Sequence, residues 1–426
     1  MIRSISGWRE ARAASHDRKA LQRLGDEMRA CLDARGGEVS ARARAATLGK
    51  HYLELDAEGR EQFFRLLGTF DLDPVALGGA LLALRESADD EERFANARLV
   101  RHALQAPWIK LLTQFNSLPE GVKFLVDLRA DLLGMIDREP VFARIDADLR
   151  EILASWFDIG FLELRQITWD APASFLERLA RYEAVHEVRG WLDLKHRLQG
   201  NRRCFAFLHP AMPDEPLIFV EIALTDRMSG DMAGLLDRRA EPLAGEPTVA
   251  IFYSISNCHK GLSGISFGNA LIKRVGDRLA SEFRSLRTFA TLSPVPGFMT
   301  WLQTQLAEDP GGIAEALARR GWHRDSESTS VLRAPLLRLC AHYLLREKRG
   351  AFARDPVANF HLSNGARLER INWLADLSPK GLRESAGIMV NYAYALDRID
   401  ENHEGYMTEG RIAASTAVRD LLRPAR

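Results

Sequence analysis

The sequence predicts an α+β multidomain chain, an all-helical first region followed by a region that mixes strands with helices, and three observations carry that reading. Its 426 residues are enough for two or three domains, and 46% hydrophobic residues suffice for sizeable cores. From the start to about Trp156, apolar residues recur at helical spacing in stretches rich in Ala, Leu, Arg and Glu. Past Ile159, short β-branched and aromatic runs alternate with helical ones.

The first region is read from its periodicity. Ser117-Leu-Pro-Glu120 predicts a capping box with proline in the first turn, after which Leu125, Leu128, Leu132 and Ile136 fall on one face. Glu61–Leu67 and Ala80–Leu84 show similar faces. No group of Ser, His and carboxylate stands there at a recognisable catalytic spacing. Residues 1–157 are therefore expected to form an all-helical packing or oligomerisation domain.

The second region, residues 158–426, predicts strands at Phe161–Thr168, Cys204–Leu208, Leu217–Thr225, Val249–Ile255, Phe289–Leu292 and Leu368–Ala375. Turn-rich connections at Met212–Pro216, Glu241–Pro247 and Asp309–Gly312 separate the elements. No internal repeat or low-complexity tract interrupts them.

Composition excludes several classes of function. The 58 basic residues balance 58 acidic ones, which leaves no net field for a nucleic-acid backbone or an anionic membrane surface. Cys31, Cys204, Cys258 and Cys340 form no Cys-x-x-Cys pair and no zinc spacing with histidine, so a reduced, metal-free protein is expected. No apolar run reaches the roughly 18 residues of a bilayer span. The N-terminus lacks a hydrophobic signal core. Arg3, Arg9, Arg12 and Arg18 suggest a transit peptide, but Glu10 and Asp17 interrupt them, and the terminal Pro-Ala-Arg is no peroxisomal signal. The expectation is a cytoplasmic protein with no nucleic-acid or membrane partner.

The most informative local stretch is a strand at Ala250–Ser256, then Gly261-Leu-Ser-Gly-Ile-Ser-Phe-Gly-Asn269, then a helix whose buried face holds Ile272, Val275, Leu279 and Phe283. A strand, a glycine-bearing turn and a helix N-terminus aim unpaired amides at one point, and pyrophosphate fits such a site. A Cβ at Gly261, Gly264 or Gly268 would obstruct the phosphate or the turn. No Walker lysine and hydroxyl follow these glycines and the Rossmann spacing fails, which argues against ATP and NAD. The order strand, anion turn, helix, strand is that in which acyltransferase folds grip coenzyme A. The turn alone reads equally well as ordinary strand-to-helix punctuation.

Longer blocks extend this. Phe252-Tyr-Ser-Ile-Ser256, Gly261-Leu-x-Gly264, Leu271-Ile-Lys-Arg-Val275, Leu292-Ser-Pro-Val-Pro-Gly-Phe298, Phe360-His-Leu-Ser-Asn-Gly-Ala366 and Arg370-Ile-Asn-Trp373 resemble the blocks of the malonyl-CoA decarboxylase family. Gly121-Val-Lys-Phe-Leu-Val-Asp-Leu-Arg129 and Glu183-Ala-Val-His186 resemble it too. The resemblance implies a helical N-terminal domain that mediates homo-oligomerisation, a tetramer being favoured, and a catalytic domain of the GNAT-type acyltransferase fold. It implies a carbon-carbon lyase of fatty acid and malonate metabolism, converting malonyl-CoA to acetyl-CoA and carbon dioxide without metal or cofactor. Carried over by motif, the catalytic pair is Ser293 and His361. The substrate-binding residues are these two with Ser263, Gly264, Ile265, Ser266, Phe267, Gly268 and Asn269. The acetyltransferase pattern Gln/Arg-x-x-Gly-x-Gly/Ala is not met, since Gly261 and Gly264 stand three apart. An amine acetyltransferase of the same fold and a catalytically inactive acyl-CoA sensor are the alternatives.

The implied chemistry suits these residues. Loss of carbon dioxide from a malonyl thioester leaves an electron pair that the thioester carbonyl absorbs as an enolate, so no cofactor is required. The protein must supply donors for the enolate oxygen, surroundings that favour expelling the carboxylate, and an acid for the α-carbon. His361, expected on a loop before Ser363-Asn364-Gly365, is the expected proton donor. Ser293 is the expected hydrogen-bonding partner of the malonyl carboxylate, or a proton relay. Judged alone, Ser293 before proline reads as a turn starter and His361 as a structural histidine; their place inside the family-matching blocks is what gives them a role. Of the basic pairs Arg202-Arg203, Arg238-Arg239, Lys273-Arg274 and Arg319-Arg320, Lys273-Arg274 is the first candidate for the CoA 3′-phosphate. Cys258, beside the turn, is a candidate redox-sensitive thiol.

Overall fold

The computed structural model describes residues 21–33, 37–237, 243, 245–265, 268–306 and 312–423, within which the chain forms two compact units. The first comprises the described residues up to Leu162 together with His209–Pro213 and His259–Ile265. Its helices span residues 21–32, Gly37–Leu53, Ala57–Leu67, Pro74–Arg85, Asp90–Ala103, Pro107–Gln114, Gly121–Leu133 and Pro140–Trp156. Aspartates start three of them: Asp56 accepts from the Gly59 amide, Asp73 from those of Val75 and Ala76 with Pro74 opening the helix, and Asp89 from that of Glu92. Phe63, Phe64, Trp108, Leu125, Phe142 and Ile145 are fully buried, and Tyr52 meets Phe63 edge-on at 4.7 Å between ring centroids.

Two features depart from the periodicity reading. The capping box at Ser117 does not form: Phe115–Ser117 is a short 3-10 turn, Ser117 Oγ donates to the Gln114 carbonyl, and the helix begins only at Gly121. The chain reverses through Glu120 at φ 57° before the helix starts, and Gly121 then packs so closely on the Phe115 carbonyl that only glycine fits there. Leu125, Leu128 and Leu132 still form its buried face. The second departure is the pair of helices Pro74–Arg85 and Asp90–Ala103, which bury no residue fully and leave Val75 84% and Phe94 69% exposed.

The second unit holds the sheet. Its strands are β1 (Glu163–Ile167), β2 (Arg202–Leu208), β3 (Ile218–Thr225), β4 (Val249–Asn257), β5 (Thr288–Thr291), β6 (Ser293–Pro294), a separate two-stranded ribbon of β7 (Lys348–Arg349) and β8 (Phe352–Ala353), then β9 (Arg367–Asn372) and β10 (Met389–Tyr394). The order is β1-β2-β3-β4-β5-β10-β6, with β9 also on β10. Among the described strands only β4 and β5 pair in parallel. A parallel pair needs a crossover, and the helix Gly268–Glu282 supplies it, with Leu271, Ile272, Val275 and Leu279 buried and Phe283 half-buried just past its end. β3 and β4 are almost wholly buried, which matches their near-continuous apolar sequences.

All six expected strands form, with shifted ends, and among the described residues β10 is the one long strand missed. The turn expected at Glu241–Pro247 falls partly, and that at Asp309–Gly312 largely, outside the described residues. Among the described residues no helix is long and apolar enough to cross a membrane.

Candidate active site

Two elements of the second unit converge on one cavity. Ser293 opens β6 and pairs with Val390 of β10, as Pro294 does with Met389. His361 lies in the last turn of the helix Pro356–Ser363, not on the loop expected from the sequence. The helix is set by Asp355, whose Oδ1 accepts from the amides of Val357 and Ala358 at 3.0 and 2.9 Å, while Pro356 occupies the first helical position. Its Oδ2 accepts from the Gly297 amide at 3.3 Å and from the Tyr343 hydroxyl at 3.5 Å. One buried carboxylate thus ties the start of the histidine helix to the turn that follows Ser293. Gly297 is required there, because a Cβ would lie 2.2 Å from the Tyr343 hydroxyl.

The side chains meet in one hydrogen-bonded line. His361 Nε2 lies 2.9 Å from Ser293 Oγ and His361 Nδ1 lies 2.8 Å from the Tyr394 hydroxyl. Ser293 Oγ donates to Thr291 Oγ1 at 2.8 Å, and Thr291 Oγ1 also accepts from the Tyr392 amide. A serine hydroxyl has one proton. With that proton given to Thr291, Nε2 must be the donor toward Ser293, and Nδ1 must accept from Tyr394. His361 is therefore the neutral Nε2–H tautomer. Burial holds it there by pushing its pKa down to about 3. The Tyr392 ring stacks on the imidazole at 4.5 Å and fixes its plane. Burial raises the Tyr394 hydroxyl well above its ordinary value, so it stays protonated as a donor.

Ser293 and His361 open onto a cavity of about 330 Å³. Val185, Phe252, Val357 and Phe360 contribute apolar wall, and Ser254 and Asn257 are among its polar members. No charged side chain among the described residues lines it. A carboxylate placed here would lose its water without gaining a cation.

The glycine turn divides differently from the expectation. Lys260–Leu262 is a 3-10 turn, and Ser263, Gly264 and Ile265 follow it, with Ser263 and Gly264 exposed. Gly264 has φ +79° and needs glycine for its backbone. Gly261 is glycine for packing and not for phosphate access, because a Cβ there would sit 1.7 Å from the Val126 carbonyl oxygen. Ser266 and Phe267 lie outside the described residues, and Gly268 and Asn269 begin the crossover helix.

Of the basic pairs, Lys273 pairs with Asp400 at 3.3 Å and Arg274 lies over the Phe207 ring. Arg202 is buried on the Leu235 carbonyl, Arg203 pairs with Glu282, and Arg238-Arg239 lie outside the described residues. Burial raises the Cys258 thiol well above its ordinary value, which removes the thiolate that redox sensitivity needs. Sequence reasoning missed Thr291, Tyr392 and Tyr394. Their signal was period two: Thr291 stands two before Ser293, and Tyr392 and Tyr394 alternate along a strand.

Comparison with known proteins agrees along nearly the whole chain. Residues 160–426 match the family described as Malonyl-CoA decarboxylase C-terminal domain, and residues 70–157 match Malonyl-CoA decarboxylase N-terminal domain. The mitochondrial malonyl-CoA decarboxylase of Anser anser anser is 36% identical over 420 residues, covering 89% of this chain and 83% of that protein. That of Rattus norvegicus is 37% identical over 421 residues, covering 91% and 83%. Among solved structures, the malonyl-CoA decarboxylase of Rhodopseudomonas palustris is 41% identical with a TM-score of 0.85, covering 93% of this chain and 99% of that one. That of Agrobacterium vitis is 38% identical with a TM-score of 0.87, covering 94% and 100%.

Proposed function

The chain belongs to the malonyl-CoA decarboxylase family, and on that premise we propose that it cleaves malonyl-CoA to acetyl-CoA and carbon dioxide at the cavity headed by Ser293 and His361. The observation that carries this reading is the hydrogen-bonded line of Ser293, His361 and Tyr394 at the edge of a cavity with an uncharged lining.

The bond between the carboxylate carbon and the α-carbon breaks, carbon dioxide leaves neutral, and the electron pair passes to the thioester oxygen as an enolate. An uncharged lining favours this step, since it stabilises neutral carbon dioxide better than the carboxylate it came from. The enolate then takes the Nε2 proton of His361 onto its α-carbon. A neutral imidazole is a weak acid. Tyr394 keeps its proton and, through its hydrogen bond to Nδ1, stabilises the charge that grows on the ring as the Nε2 proton leaves, and a proton from solvent restores the ring once acetyl-CoA has left. Ser293 orients Nε2 and offers its oxygen beside the reacting end. Because the thioester carbonyl holds the electron pair, this reaction needs no metal or organic cofactor.

In the same reading, Ser263–Asn269 cradles the phosphates of CoA, and the exposed helix pair Pro74–Ala103 joins copies of the chain into an oligomer, with a tetramer favoured. Large exposed apolar residues at Val75, Leu81, Leu82, Phe94 and Leu99 support the second point. We assign the protein to the cytoplasm and to malonate and fatty acid metabolism on the same footing. The deciding experiment is incubation of purified protein with malonyl-CoA and no amine. Carbon dioxide and acetyl-CoA in equal amounts are expected. Binding without turnover would leave an acyl-CoA sensor, and turnover only on adding an amine would leave an acetyltransferase.

A further inference from the structure

The segment Gly121–Arg129 lies within the residues that match the family's N-terminal domain, yet nothing in the chemistry above uses it. Arg129 stands near the end of its helix, is 2% exposed, and hydrogen-bonds to three residues. Its Nε donates to Asp146 Oδ1 at 2.8 Å and its Nη2 approaches Oδ2 at 3.4 Å. That carboxylate fixes the plane of the guanidinium. Nη1 is left to donate to the carbonyls of Gly261 at 2.6 Å and Ser263 at 2.8 Å. Gly261 meanwhile lies flush on the same helix, with no space for a Cβ against Val126.

A peptide unit is planar, with its N–H directed opposite to its C=O. Clamping the Ser263 carbonyl onto Arg129 therefore turns the Gly264 N–H outward. That amide meets no acceptor among the described residues, although the amides on either side, of Ser263 and Ile265, bond back to Lys260 and Leu262. Beside it stands Arg150, exposed on the helix Pro140–Trp156 and without a carboxylate partner among the described residues. A Cβ on Gly264 would lie 3.6 Å from Arg150 Cδ and 3.9 Å from its Nη1. A free outward amide, a positive φ that leaves it uncovered, and an unpaired guanidinium next to it are the parts of a phosphate site.

We propose that the first unit carries a phosphate site for CoA: Arg129 is the positioning residue that turns the Gly264 amide outward, and Arg150 is the cation that meets the phosphate. The proposal rests on the reading of Ser263–Asn269 as the CoA turn. It adds a cation to the turn read as the pyrophosphate site, and it gives the Gly121–Arg129 segment a task in substrate binding.

The test compares CoA with pantetheine, which keeps the thiol arm but lacks the nucleotide and its phosphates, by calorimetry on the full chain. Binding is read directly, so the result does not depend on turnover. Arg150→Gln, a surface change that leaves the core alone, is expected to weaken CoA about tenfold, the size of one charge-assisted hydrogen bond, and leave pantetheine unchanged. Arg129→Met combined with Asp146→Leu removes the buried pair together, which avoids stranding one charge. It is expected to show the same selective loss. Wild-type binding of CoA no tighter than pantetheine would overturn the turn as a phosphate site, and this proposal with it. A wild-type preference for CoA that survives in Arg150→Gln would overturn this proposal alone, as would equal weakening of both ligands.

Discussion

The hydroxyl of Tyr394 donates to Nδ1 of His361 across 2.8 Å, although 33 residues separate them in the chain. This contact decides which imidazole nitrogen carries the proton that faces the cavity. Tyr394→Phe removes it and frees Nδ1 to take the proton instead. Turnover is expected to fall by roughly tenfold or more, with little change in the Michaelis constant, because the donor acts only in the protonation step. Single-turnover rates near those of the wild type would sink this assignment.

His361→Asn removes the proposed proton donor, and turnover should fall by about two powers of ten or more, about 3 kcal/mol of transition-state stabilisation. Ser293→Ala should also act mainly on turnover. In both variants CoA affinity stays near wild type, since the thioester oxygen charge and the need for a proton arise only during reaction. A rise in the Michaelis constant with unchanged turnover in either variant would return that residue to a binding role.

The pH dependence of stability follows from the same histidine. Its pKa falls from the ordinary 6.5 to about 3 on burial, so between those values the unfolded chain binds a proton that the folded chain does not. The contribution is complete above about pH 6.5 and is lost as the pH falls toward about 3. Urea midpoints taken at about pH 7 and about pH 5 should therefore drop more in wild type than in His361→Asn. Parallel drops in the two proteins would mean that His361 is not held neutral by burial.

Two glycines three residues apart should respond in opposite ways. Gly261→Ala forces a Cβ against the Val126 carbonyl and should cost about 2 kcal/mol or more of stability. Gly264→Val meets only the Arg150 side chain, so circular dichroism should report a folded protein. Its Michaelis constant should rise strongly as the positive φ and the outward amide are lost. A folded Gly264→Val protein with normal CoA affinity would remove the turn from the phosphate site.

The exposed helix pair makes a separate prediction. Phe94→Asp with Leu99→Asp places charge on the face proposed to join copies and should yield a smaller species by light scattering, with each chain still helical. An unchanged oligomer size would move the interface elsewhere.

Much of this protein was legible in the sequence because its signals are local. The helical first region, the six strands from Phe161 to Ala375, and the blocks holding Ser293 and His361 rest on periodicity and short motifs, which need no tertiary partner to be read. Tertiary structure decided the rest. His361 sits on a helix because Asp355 caps it and also binds the Gly297 amide, a tie between segments that no spacing reveals. Its tautomer depends on Thr291 and on Tyr394, the latter brought from β10 by sheet pairing. Gly261 and Gly264 look alike in sequence, and only the helix beneath them makes one a packing contact and the other an open amide. The sequence by itself marked Ser293 and His361 as the candidates for the chemistry. The direction of each proton and the purpose of each glycine came from long-range contacts, because a hydrogen bond or a steric clash depends on where two segments meet in space.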